Sequence, residues 1–153
     1  MPGPQAADVI LGAWQQLGEA ARAVRTAVFV VEQNIAEEEE WDEWDAPSLH
    51  AVGYGAAGAA LGTGRLLPPV FDAQPGVGHI GRMAVLKEAR GTGIGGAILR
   101  RLMQAAPEYG YTQIVLHAQS HVAGFYARHG FVAEGAEFLE VGIPHVAMRA
   151  RLQ

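Results

Sequence analysis

The chain contains no cysteine. That excludes disulfide bridges, thiolate-bound metal and a cysteine nucleophile together. It is compatible with a reducing compartment without requiring one. No apolar run approaches the ~18 residues needed to span a bilayer. The opening MPGPQAADVILGAW has neither a basic n-region nor a long apolar h-region, the parts of a secretory leader. A cytoplasmic protein with no membrane partner is expected. Charge is sparse, with 11 Lys and Arg against 16 Asp and Glu. The basic residues do not cluster as phosphate-backbone binding requires, so nucleic acid is excluded as a partner. No H-E-x-x-H segment occurs among the six histidines, and no metal is expected.

What is present suits one globular domain spanning residues 1–153. At this length folding buries about 68–70% of the surface of the unfolded chain, and half the residues are hydrophobic. Seven of the 16 acidic residues stand in one segment, EEEEWDEWD, Glu37–Asp45. Without it the balance becomes 11 − 9 = +2. The run is either a solvated loop or, because Trp41 and Trp44 need packing, a fixed negative rim that attracts cations.

Apolar spacing predicts a helix from Leu17 to Val31. A short strand precedes it at Asp8–Leu11. Leu49–Gly55, Ala60–Pro68 and His79–Leu86 read as a three-strand meander. An amphipathic helix follows over Gly93–Ala106, ended by Pro107. Thr112–Ala118 reads as a buried strand and His121–His129 as a short helix. A terminal hairpin turns around Gly142–Pro144, and its apolar strands are candidates for pairing in a homodimer. This order makes an α/β or α+β sheet protein.

RGTGIGG, Arg90–Gly96, carries the chemistry. Gly91, Gly93 and Gly96 spell G-x-G-x-x-G, but a dinucleotide site needs an acidic residue about 20 residues on. That region reads TQIVLHAQSH, without Asp or Glu. There is no G-K-[ST], so a P-loop is excluded too. The alternative is R-x-x-G-x-G with Arg90, Gly93 and Gly95. Glycines let amides of Arg90, Gly91, Thr92, Gly93, Ile94, Gly95 and Gly96 converge on a diphosphate at a helix N-terminus. Arg90 adds a forked cation.

Arg90–Gly95 resembles the acetyl-CoA pyrophosphate loop of the GNAT N-acetyltransferases. Ala123, Phe125, Tyr126, Gly130 and Phe131 resemble their second CoA motif, A-x-F-Y-x-x-x-G-F. VFVVEQN, IGRMAV, AQSHVAGFY and GIPHVAM are similar to the ElaA-like branch. The likeness runs from about Val24 to the C-terminus. It implies a GNAT fold: a mixed, bent central sheet that splays at the cofactor, with helices on both faces. It further implies that acetyl-CoA meets Met83, Ala84, Val85 and Phe125, and that Tyr126 lies near the thioester sulfur. The unbroken Glu run before the tryptophans departs from the family's looser pattern, which leaves the acceptor rim open.

Transfer of an acetyl group to an amine needs a neutral nucleophile. At pH 7 about one in 2,500 lysine-like amines is neutral. A base must take the proton and an acid must protonate the departing thiolate. Without cysteine no thiolate acyl-enzyme forms, so direct transfer in a ternary complex follows. Tyr126 is the expected acid. Glu32, at the polar end of the first helix, is ranked first as base, with a salt bridge to Arg25 or Arg65 as the alternative. Gln33, His50, Arg82, Gln119, His121 and His145 are expected on the acceptor side. His117, inside a strand, is read as a core histidine. The expected acceptor is a cationic small-molecule or peptide amine. The alternative is a non-catalytic acyl-CoA-binding module, which would keep the glycines and Arg90 without needing Tyr126. A third reading makes AVFVVEQ and the acidic Trp segment a partner surface.

Overall fold

The computed structural model describes residues 8–153. The first residues of the opening read for a leader lie outside this range. Seven strands form one mixed sheet: β1 (Asp8–Ala13), β2 (Leu49–Tyr54), β3 (Ala60–Leu66), β4 (Val77–Val85), β5 (Gln113–Gln119), β6 (Val132–Glu140) and β7 (Ile143–Arg151). Their order is β1-β2-β3-β4-β5-β7-β6. Only β4 and β5 run parallel.

Helix α1 (Trp14–Arg25) buries Leu17, Ala21 and Val24, a helical stripe set by the i, i+4, i+7 spacing. The predicted helix does not stay regular to its end. From Thr26 to Glu32 it widens into π-helical turns, closed by Gln33 N–H donating to Val28 O at 3.0 Å. Such widening turns side chains away from the register a regular helix would give. Three acidic-segment residues join a fourth in α2 (Glu37–Glu40), a single turn.

α3 (Ile94–Ala105) buries Ile94, Ile98, Leu99 and Leu102 on the sheet face opposite α1. Neighbouring β2 residues show the two faces: Val52 packs with Leu17 and Ala21, whereas Ala51 packs with Ile94 and Ile98. The approach of α3 requires glycine at position 53, where a Cβ would lie 2.8 Å from the Ile94 side chain. α4 (Ala123–Ala127) is only the middle of the predicted His121–His129 helix, preceded by a 3₁₀ turn at Ser120–Val122.

The hairpin turns at Val141–Gly142, one step earlier than predicted, with φ of 47° and 76°. Two left-handed residues make the tight turn that matches strand twist. β6 is a sheet edge. It carries a register shift between Glu134 and Phe138 and exposed Glu134 and Glu137. Bulges and charges of this kind discourage edge pairing between copies. No helix among the described residues is long and apolar enough to cross a membrane.

Candidate active site

β4 and β5 pair only at Val77–Gln113, Gly78–Ile114 and His79–Val115. Beyond that they part: Ile80–Val85 stays with β3, and Leu116–Gln119 stays with β7. At the parting point β4 bulges. Its register with β3 shifts opposite Gly64, and Arg82 takes φ = 51°, a left-handed conformation that non-glycine residues avoid. The splay opens a cleft of about 930 Å³.

One end of the cleft is the glycine loop. Gly91 and Gly93 have φ of 81° and 89°, and a Cβ at either would meet nothing within 4 Å. The glycines are there for backbone conformation and open approach, not packing. Gly93 immediately precedes α3, so free amides and the helix dipole face the same opening. Gly91, Gly93, Ile94, Gly95 and Gly96 line the cleft with Met83, Ala84 and Val85. Thr92 does not. Its hydroxyl donates to Ala89 O at 2.6 Å and braces the loop from behind.

Arg90 and Glu32 meet here, with contacts of 2.7 and 2.6 Å. Hydrogen bonding from Arg90 holds the Glu32 carboxyl below its ordinary range. The pair holds Glu32, expected as the base, at the glycine-loop end of the cleft with Arg90 as its partner. It also differs from the expected salt bridge, since Arg25 and Arg65 are engaged elsewhere.

Tyr126 stands mid-cleft on α4. Its ring is buried edge-on against Phe125 at 5.0 Å and Phe131 at 5.9 Å. Burial pushes its phenol far above the usual tyrosine value. No hydrogen bond among the described residues engages the Tyr126 hydroxyl, and it is not among the sealed, unsatisfied atoms. A packed ring with an unbonded hydroxyl open to the cleft is a donor without a resident acceptor.

The other end is charged. Arg25, 1% exposed, contacts Glu40 and Asp45 at 2.7 Å each. Arg65 reaches Asp42 at 2.7 Å and Asp45 at 2.8 Å. Trp41 covers Arg25, its ring centroid 4.9 Å away. Trp44 packs edge-on against Phe71. The acidic segment is thus half folded inward and neutralised, while Glu37, Glu38 and Glu39 are not buried. This answers the choice between loop and rim: the tryptophans pack, but three of the seven carboxylates face arginines.

Gln33 and Gln119 exchange side-chain hydrogen bonds at 3.1 and 2.8 Å across the cleft. His121, Arg82 and His145 also line it. His50 does not. It is buried beneath Trp14, its Nε2 donating to Asp45 O at 2.8 Å, and burial lowers its pKa. Strand alternation fixed that it points to one face, and that face belongs to α1. His117 is corrected in the opposite sense: it is exposed, lines the cleft and pairs with Glu140 at 2.9 Å. Glu140 was missed. The register readable from LEVGIPH, Glu140 before a two-residue turn and His145 two residues into the return strand, sets both on one face. His117 and His121 have H-x-x-x-H spacing, but a strand end and a 3₁₀ turn carry them, not a helix. No group of three His, Asp or Glu among the described residues could hold a metal.

The acetyltransferase (GNAT) domain family matches residues 16–152. The chain belongs to the GNAT family. It is 40% identical over 126 residues to the uncharacterized N-acetyltransferase YjcF of Bacillus subtilis, covering 82% of this chain and 86% of that protein. It is 35% identical to a crystal structure of an acyl-CoA N-acyltransferase from Pseudomonas aeruginosa, with TM-score 0.80 over 94% and 98% of the two chains. Escherichia coli ElaA is 25% identical, with TM-score 0.81 over 94% and 99%. This GNAT chain is therefore an acyl-CoA-dependent acyltransferase with an ElaA-like fold, and the bent mixed sheet with helices on both faces is the family's.

Proposed function

We propose that this GNAT enzyme moves an acetyl group from acetyl-CoA to a primary amine, directly, in a ternary complex. The observation that carries the reading is the continuity of one cleft from the left-handed glycines, through the β4–β5 splay, to the Tyr126 hydroxyl. The coenzyme fits these residues. Amides of 91–96 at the start of α3 face the diphosphate, where the open glycine cradle leaves room. Arg90 turns from Glu32 to the phosphates, a like-for-like exchange of oxyanions. The unpaired edge of Met83–Val85 holds the pantetheine by main-chain hydrogen bonds, and Phe125 packs beside it.

The bound coenzyme supplies an acetyl thioester. A main-chain N–H on the β4 edge stabilises the oxygen that gains charge. The amine nitrogen forms its bond to the carbonyl carbon as the carbon–sulfur bond breaks. Tyr126 O–H gives its proton to the sulfur, and the amine loses one on the opposite side of the cleft, away from Glu32. Burial keeps Tyr126 protonated, and the same dry setting makes the departing thiolate more basic.

A thiol-release assay over an amine panel tests the reading. With no cysteine in the chain, every thiol detected is CoA's. The expected result is thiol release that depends on both acetyl-CoA and amine, with a product heavier by one acetyl group. Coenzyme binding without transfer to any amine would favour the non-catalytic module.

A further inference from the structure

The acceptor half of the cleft contains two unmet demands of opposite sign. His145 is buried, and its Nδ1 lies 2.7 Å from Ile143 O. A carbonyl only accepts, so Nδ1 carries a proton and the second ring nitrogen, Nε2, is the one turned to the cleft. That Nε2 faces Glu140 Oε2 at 3.8 Å, beyond hydrogen-bond range. The two atoms therefore confront each other across a gap without a direct hydrogen bond. The other Glu140 oxygen is occupied by His117. Gln119 pairs with His145 in the strand register, so the gap sits beside the end of β5, directly before the Tyr126 turn and helix. The turn that sets this gap is strained. Val141 holds φ = 47°, where a β-branched side chain is an outlier, and it lines the same cleft.

Arg82 presents the converse. Arg25 and Arg65 take their carboxylates at 2.7–2.8 Å. Arg82 reaches what is left at 3.2–3.3 Å, from Glu40 and Asp42. No hydrogen bond among the described residues uses its Nη1. Its side chain is 26% exposed, on the strained residue of the β4 bulge, and it lines the cleft. Desolvation and the neighbouring Arg65 and Arg25 charges lower its pKa despite Glu40 and Asp42, which is the mark of an under-compensated cation. Arg82 and Glu140 line the same cleft, so the two demands belong to one compartment.

We infer that the acceptor is an amino carboxylate, its ammonium filling the gap between Glu140 and His145 and its carboxylate taking the free edge of Arg82. This rests on the N-acetyltransferase reading and narrows it. An ammonium has donors for the Glu140 carboxylate and for an imidazole nitrogen, and a guanidinium matches a carboxylate in a fork. His145 Nε2 receives the proton the ammonium must lose before attack.

The test compares matched acceptors: phenylalanine with phenylalaninamide and phenethylamine, methionine with methioninamide, and β-alanine and γ-aminobutyrate for longer spacings. A charge-assisted hydrogen bond of ~1.5–3 kcal/mol predicts kcat/KM about 10- to 100-fold higher for the carboxylate-bearing member. Arg82→Gln should bring that ratio close to one, and Arg82→Lys should restore part of it. The comparison on wild type needs no variant, so a poorly folding Arg82 substitution leaves it decisive. Equal use of both members, preference for the amide, or use of none of the amino carboxylates while CoA still stabilises the protein overturns the inference. Loss of CoA stabilisation itself would instead overturn the N-acetyltransferase reading beneath it.

Discussion

Arg25→Ala should cost about 3–5 kcal/mol of folding free energy, the range for removing one partner of a buried ion pair. Arg25 is 1% exposed and donates to Glu40, to Asp45 and to the Glu40 carbonyl. Its loss leaves two buried carboxylates under-compensated, Asp45 with Arg65 alone and Glu40 with the longer Arg82 contact at 3.2 Å. Burial already pushes the Glu40 carboxyl above its usual range, against the pull of Arg82 and Arg25. Without Arg25 that push grows. A carboxyl raised in the folded state favours folding at low pH and opposes it as pH rises, so the deficit should be smaller near pH 5 than at pH 7. Urea unfolding at both pH values measures it. A loss under 1 kcal/mol would show that the acidic segment is not anchored through this arginine.

Tyr126→Phe should lower kcat by about 10²–10⁴-fold, the contribution typical of one positioned proton donor. The substitution removes a hydroxyl that bonds to nothing among the described residues and leaves the ring packed against Phe125 and Phe131. Stability should therefore change by less than ~0.5 kcal/mol, and CoA affinity should hold. Because burial raises the phenol pKa, wild type should show no loss of activity from Tyr126 ionisation below about pH 10, its unperturbed value. A variant as fast as wild type across pH would remove Tyr126 from the proton path.

The glycine-loop end of the cleft was legible because its signals are local. Gly91, Gly93 and Gly95 encode a backbone path within six residues, and α3 follows at once. The charged end was not, because its geometry is made by residues far apart in the chain. Arg25 finds Asp45 20 residues on, and Arg65 finds Asp42 23 residues back; no spacing rule links them. The π-helical end of the first helix obeys the same apolar periodicity as a regular one, so the pairing of Glu32 with Arg90 is not readable from spacing. His50 shows the limit of strand alternation, which says that a side chain changes face but not which helix covers that face. Glu140 and His145 lay within reach of sequence reasoning. A turn at Val141–Gly142 sets them on one face, but valine there breaks the turn rule, and the glycine and proline that follow point to a turn further on.

Amide hydrogen exchange with and without CoA tests the central claim most directly, since it reads the main-chain groups that the cradle is built from. The prediction is slowed exchange confined to residues 91–96 and to the splayed stretch 83–85, with the far edge strands unchanged. Protection confined to another part of the sheet, or none at saturating CoA, would contradict it.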